Sequence, residues 1–137
     1  MLRSLVGSEM CIRDRYYNST RNSDVKVTSA EAITQGISAE GGLFVPESIP
    51  QLTAADIKAI GDMKYSDRAA FVFSKFLTDF TDAEIHYCTD NAYSTQNFET
   101  ENIAEIEHLF SDTYMLELWH GTTCAFKAMA LQIHPYL

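Results

Sequence analysis

Basic residues are absent from a long part of this chain. From Phe76 to Phe126, fifty-one residues pass without a lysine or an arginine, and the chain carries a formal net charge of −9. That balance argues against a nucleic-acid partner or an anionic membrane surface, because both need clustered cations. Cysteine is sparse and odd in number: Cys11, Cys88 and Cys124, with no paired spacing. No disulfide framework is implied, and a reducing, cytoplasmic compartment fits. No apolar run approaches the ~20 residues of a membrane span. Neither a Walker loop nor a dinucleotide-type glycine-rich loop is present. Metal binding has no support either. His120 and Cys124 stand four apart and His86 and Cys88 two apart, whereas a site needs three or four convergent ligands.

What is present is a regular set of helix starts. The 137 residues, 46% of them apolar, suffice for one small core or a core and the beginning of a second. Thr28-x-x-Glu31, Thr53-x-x-Asp56 and Thr81-x-x-Glu84 each set a capping hydroxyl three residues before a carboxylate. Val27, Leu52 and Phe80 precede the caps, and Ile57 and Ile85 complete hydrophobic staples in the second and third. The first two helices are expected to end at Gly36 and Gly61, glycine being free to take the left-handed conformation past a helix end. Gly41-Gly42 before Leu-Phe-Val-Pro46 reads as a structural turn leading into extended chain, not as a phosphate cradle.

From Ser66 to Phe80, the residues Ala69, Phe73, Phe76, Leu77 and Phe80 recur at helical spacing and define a core face. A further helix from Asp82 to about Ser94 presents Ile85, Cys88 and Ala92 on one side. Residues 94–102 are polar without a period and read as a linker. Residues 103–110 and 113–119 read as strands around a Ser111-Asp112 turn. The carboxylates Glu99, Glu101, Glu105 and Glu107 are accounted for as a solvated face. From about Ala125 the chain is apolar nearly all round, as in a helix buried on most sides, so the chain reads as the front of a longer protein.

Residues 1–15, MLRSLVGSEMCIRDR, stand apart. Most of the stretch resembles a translated sequencing-adapter read, and it is set aside from the fold as a non-native segment. The remaining organisation is then an N-terminal domain over residues 16–95 and the start of a second domain over 96–137.

Lys127 ends the lysine-free stretch, within Cys-Ala-Phe-Lys-Ala-Met-Ala-Leu. Many lysines near helix starts lay their methylenes on the core and hold the ammonium in water. Among apolar neighbours, however, burial is expected, and desolvation favours the neutral amine. A neutral amine attacks carbonyls, which makes Lys127 a candidate for covalent chemistry. The preceding Leu116-Glu-Leu-Trp-His-Gly-Thr-Thr-Cys124 reads as a strand ending at His120-Gly121, a turn through two threonines, and a helix start. Ligands of α/β proteins gather at such turns. A Cys124–His120 nucleophilic pair is conceivable, but Cys124 reads better as a small packed residue.

Three stretches, in order, carry a family resemblance. They are Tyr16-Tyr-Asn-Ser-Thr-Arg-Asn22; Ala32-Ile-Thr-Gln-Gly-Ile-Ser-Ala-Glu-Gly-Gly-Leu-Phe-Val-Pro-Glu47; and Leu116 through Lys127 to Gln132. With the helical middle, they make the chain resemble the N-terminal part of threonine synthase. The last stretch is similar to that family's pyridoxal-phosphate segment, His-Gly-Pro-Thr-x-Ala-Phe-Lys-Asp-x-Ala-Leu-Gln. The resemblance implies an α/β protein (α+β within this fragment): a small, mostly helical N-terminal domain, then the truncated start of a fold type II catalytic domain. It implies a carbon–oxygen lyase of threonine biosynthesis that converts O-phospho-L-homoserine and water to L-threonine and phosphate. Lys127 would be its catalytic lysine and would bind pyridoxal 5′-phosphate, with Phe126 beside the cofactor. Thr122 replaces the family's proline and Ala128 its aspartate. The phosphate loop and substrate residues of the family lie downstream of Leu137, so this length of chain is expected to be inactive alone. Two other readings stay open: another lyase or synthase of the same fold type, and a non-catalytic helical interaction domain.

Overall fold

The structure, a computed structural model, describes residues 15–137, so the adapter-like reading of the first fourteen residues lies outside the described part. The chain divides into two compact units. One takes the described residues up to Leu52 together with Val72–Thr81; the other takes Thr53–Phe71 and Asp82–Leu137.

In the first unit, three short strands form an antiparallel sheet with β1 (Tyr17–Ser19) between β2 (Lys26–Val27) and β3 (Phe44–Pro46). Tyr17 pairs with both Val27 and Pro46. The Gly41-Gly42 turn folds β3 back onto β1, with Gly41 N–H donating to Ser38 O at 2.7 Å. A Cβ at residue 42 would overlap the Ser19 hydroxyl and press on the Arg21 backbone nitrogen at 3.1 Å, so the position favours glycine. The glycine pair is thus a turn, as expected.

Helix α1 (Ser29–Gln35) begins with the full capping box read from the sequence. Glu31 N–H donates to Thr28 Oγ1 at 3.3 Å, and Thr28 N–H donates to the Glu31 carboxylate at 2.8 Å. It ends at Gly36, whose φ of 69° needs no side chain. Asp79 adds a second cap from a distant part of the chain. Its carboxylate accepts from the Ser29 hydroxyl and, at 2.9 Å, from Ala30 N–H. Arg15 is also built into this unit, donating from its backbone to Thr78 Oγ1 and from its guanidinium to Lys75 O and Ser48 Oγ.

The second unit holds α2 (Ala54–Gly61), the first half of α3 (Tyr65–Phe76), α4 (Asp82–Ala92), the hairpin β4 (Glu105–Phe110) and β5 (Thr113–Glu117), and α5 (Lys127–Leu131). Thr53 and Asp56 form the second capping box. Helix α2 runs through Gly61 and is capped by Asp62 in a right-handed conformation, so Gly61 is not the left-handed terminator expected. Helix α3 stops at Phe76, four residues short of the expected end. Ser66 and Ala70, not Ala69, are its buried residues.

Helix α4 buries the expected face: Ile85, Cys88 and Ala92, with Thr89 fully enclosed beside them. The Ser66 hydroxyl and the Lys64 ammonium both donate to Asp90, at 2.7 and 3.0 Å. Those two bonds hold the Asp90 carboxyl below its usual range.

The polar stretch 94–102 has neither helix nor strand, but it is no solvated linker. Phe98 is 3% exposed, and the following Ile103 is 1% exposed. Ile103 also has a φ of 64°, which a β-branched residue adopts only when its surroundings over-determine it. Helices and strands are thus mixed, and every strand pairing among the described residues is antiparallel. No described helix is long and apolar enough to cross a membrane.

Burial alone would raise the Asp79 carboxyl, but hydrogen bonds from Ser29 and Ala30 hold it below its ordinary value. Its stabilising effect is therefore present above the unfolded pKa of ~3.9 and disappears as pH falls through the lower folded value. Asp79→Asn should cost about 1 kcal/mol in urea denaturation at pH 7. The gap to wild type should narrow as pH falls below ~3.9 and through the lower folded value; a gap unchanged by acid would contradict this role.

Candidate functional site

The site grows from the end of the hairpin. Strand β5 stops at Glu117, two residues earlier than expected, and 118–120 run on without a strand partner. The chain is then caught again by the 94–102 stretch. Glu99 N–H donates to His120 O at 3.0 Å, and Phe98 and Gly121 form an isolated antiparallel bridge. Cys124 N–H donates to Gly121 O at 2.9 Å, closing the turn through Thr122 and Thr123. Cys124 takes a φ of 50°. Helix α5 then starts at Lys127 without a side-chain cap.

Gly121 is the tight point of this arrangement. A Cβ built there would lie 2.8 Å from Ala128 Cβ and 3.1 Å from a Phe98 ring carbon. Atoms that close must shift, so the turn can approach α5 and Phe98 only because residue 121 lacks a side chain. Two further bonds fix the end of the chain to α4 and its extension. The Tyr93 hydroxyl donates to Met129 O at 3.0 Å, and the Cys88 thiol donates to Tyr136 O at 2.9 Å. Burial, and then neighbouring Tyr65, push the Tyr93 phenol up to about 12, so it remains a donor across the ordinary pH range. Tyr65 meets Tyr93 edge-on with ring centroids 5.0 Å apart.

Lys127 sits on the outer side of this turn. It is exposed, and so is Phe126, at 68%. The burial expected for the lysine is therefore not found. Among the five residues of α5, Ala128 alone is buried, and consecutive helical residues are separated by ~100° around the axis. Anchoring Ala128 thus turns Lys127 outward. Among the described residues no hydrogen bond or ion pair engages its amine. Cys124 is exposed as well, which corrects its reading as a packed residue.

His120 does not face Cys124 as a base would. Its Nε2 lies 2.7 Å from a Glu117 carboxylate oxygen and its Nδ1 lies 3.4 Å from one of Glu99. The sequence reading gives neither carboxylate this role; Glu99, 74% exposed, does lie on the solvated face expected of it while also approaching the ring. The available signal was the Glu117-x-x-His120 spacing, which has no meaning in a continuing strand and acquires one because β5 ends at Glu117. A cleft of about 400 Å³ elsewhere in this unit is lined by Met63, Lys64, Arg68, Glu101 and Glu105 among others, and does not include the Lys127 turn.

The arrangement defines a class: an antiparallel α+β chain with a strand–turn–helix that presents an unengaged amine. Comparison with known proteins narrows it. The family model for the threonine synthase N terminus matches residues 16–93. Threonine synthase from Methylobacillus glycogenes is 32% identical over 124 residues, covering 85% of this chain and 26% of the relative. The Schizosaccharomyces pombe enzyme is 35% identical over 118 residues, covering 85% of this chain and 23% of its own. Human threonine synthase-like 1 is 32% identical over 111 residues, 79% of this chain but 15% of the relative. Among solved structures, PLP-bound threonine synthase from Brucella melitensis superposes with a TM-score of 0.82 at 28% identity, over 89% of this chain and 26% of that one. Yeast threonine synthase gives 0.81 at 29% identity, over 90% and 26%. The chain belongs to the threonine synthase family, and it spans about a quarter or less of the relatives it matches.

Gly121→Ala should lower stability by about 1–3 kcal/mol, the usual cost of forcing a methyl into packed space. In the double variant Gly121→Ala/Ala128→Gly, part of that loss should return, because the nearer of the two clashes is gone. Urea denaturation of the four proteins of the cycle measures the coupling; strict additivity would show that the two residues do not press on each other.

Proposed function

We propose that this chain is the N-terminal part of a pyridoxal-phosphate-dependent threonine synthase, a cytoplasmic lyase that turns O-phospho-L-homoserine and water into L-threonine and phosphate. The observation that carries the reading is Lys127: an exposed, unengaged primary amine just past a hydrogen-bonded turn, in a segment that resembles the family's cofactor-binding sequence. The family match over residues 16–93 supports treating 16–95 as the N-terminal domain, with 96–137 opening the catalytic one. The PLP-bound relative from Brucella melitensis supports the cofactor.

The residues present fit the cofactor as far as they go. A condensing lysine must be reachable and free of competing ion pairs, and Lys127 is exposed with its amine unengaged. Phe126, exposed next to it, offers apolar surface for a flat ring. When bound, pyridoxal phosphate supplies the electron sink for a carbanion on the substrate. Lys127 would hold the cofactor and then, once released by the substrate amine, move protons at the substrate's Cα and Cβ. The neutral amine is the form that attacks a carbonyl, and a dry setting in the complete enzyme would favour it. Neither departure from the family pattern removes the nucleophile. Thr122 is exposed, and Ala128 serves the Gly121 contact.

The 137-residue chain alone should release no phosphate from O-phospho-L-homoserine. A complete protein containing it should do so, with Lys127→Ala reducing turnover by at least ~10³-fold. Borohydride reduction of that complete protein with pyridoxal phosphate should label Lys127, as read by peptide mass. Full turnover in the alanine variant, or labelling spread evenly over surface lysines, would refute the assignment.

A further inference from the structure

His120 makes contacts that the proposed chemistry does not use. Both of its ring nitrogens face carboxylates: Nε2 at 2.7 Å from Glu117, where the two side chains are only 14% and 17% exposed, and Nδ1 at 3.4 Å from the more open Glu99. A neutral imidazole carries one N–H and one lone pair. Whichever tautomer it adopts, one nitrogen would turn a lone pair toward a carboxylate. The imidazolium donates in both directions, and hydrogen bonds between charged groups are the stronger kind.

The position of this ring matters as much as its charge. His120 precedes Gly121, whose missing Cβ lets the turn touch Ala128 and Phe98. Its own carbonyl accepts from Glu99 N–H, the residue whose side chain also approaches the ring. Glu117 closes β5, and Glu99 lies in the 94–102 stretch, so the ring ties together two segments that meet at the base of the Lys127 turn. We propose that imidazolium His120, gripped between Glu117 and Glu99, is a proton-operated clamp that positions the turn leading to Lys127.

Among the described residues, the titratable groups that act on the ring are these two glutamates. The hydrogen bond to Glu117 raises the imidazole above its ordinary pKa; partial burial works against this, and Glu99 adds to the rise. A raised folded-state value means that the clamp is fully engaged below the unfolded pKa of ~6.5 and releases as pH climbs through the folded value. The clamp stands on this geometry alone. Its consequence for chemistry rests on the Lys127 reading.

Trp119, the only tryptophan, has its ring centroid 5.6 Å from that of His120 and so reports the ring's charge, since an imidazolium quenches a neighbouring indole. Fluorescence of the 137-residue chain titrated from pH ~5 to ~9.5 should show one transition with its midpoint above ~6.5. Glu117→Gln should lower that midpoint by about one unit, a tenfold loss of proton affinity, and Glu99→Gln should lower it less. His120→Gln should abolish the transition while far-UV circular dichroism stays that of the wild type. Amide exchange at Cys124, whose N–H closes the turn on Gly121 O, supplies the positioning readout. Its protection should fall across the same transition in the wild type but not in His120→Gln. A midpoint at or below ~6.5 that Glu117→Gln does not move overturns the clamp. A raised midpoint with constant Cys124 protection overturns its positioning role. Neither readout involves the cofactor, so a failed lysine assignment and a failed clamp are told apart.

Discussion

The contact of Gly121 with Ala128 and Phe98 is the constraint on which the rest of the site depends. Where a side chain would stand, there is 2.8 Å to one neighbour and 3.1 Å to the other. This close approach lets the 121–124 turn lie against the start of α5, and it buries Ala128. Burying Ala128 faces Lys127 outward. The Tyr93 hydroxyl on Met129 O and the Cys88 thiol on Tyr136 O then hold the following residues to α4 and its extension. A five-residue helix has no intrinsic stability in water, so these side-chain and packing contacts, not helix propensity, are what give α5 its place.

Features determined by neighbours in sequence were readable in advance. The Thr28/Glu31 and Thr53/Asp56 boxes are reciprocal hydrogen bonds across three residues, and both formed as written. The buried face of α4 follows from one periodic stripe, and the Ser111-Asp112 turn from its place between two apolar runs. Features determined across long separations were not readable. Strands β1 and β2 are three and two residues long, too short to show a period, and β1 also pairs with β3 from Phe44 onward. Phe98 and Ile103 anchor a stretch whose composition is that of a linker, because two apolar side chains among many polar ones carry no period.

The site divided in the same way. Lys127, Gly121 and the turn between them were visible as a strand-to-helix transition. The exposure of the lysine was not, since apolar neighbours on a helix signal burial of the helix but not of each residue on it. Nor were the partners of His120, because whether Glu117 can reach it depends on where β5 stops. The hairpin shows the same limit: Ile106, Phe110, Tyr114 and Leu116 are each more than half exposed among the described residues, although apolar strands of this kind usually read as core. Membership of the threonine synthase family rests on matches along the chain and in three dimensions, which do not depend on any single side chain.

The central claim is that the Lys127 turn is a rigid part of the second unit, held by packing at Gly121 and by bonds to α4. Native-state amide exchange in the 137-residue chain tests it most directly. The amide of Gln132, which donates to Ala128 O at 3.0 Å, should be protected to nearly the same degree as that of Tyr93, which donates to Thr89 O at 2.9 Å at the end of α4. If the Gln132 amide exchanged at the rate of an unstructured peptide while Tyr93 stayed protected, the turn would be frayed chain and the account of its rigidity would be wrong.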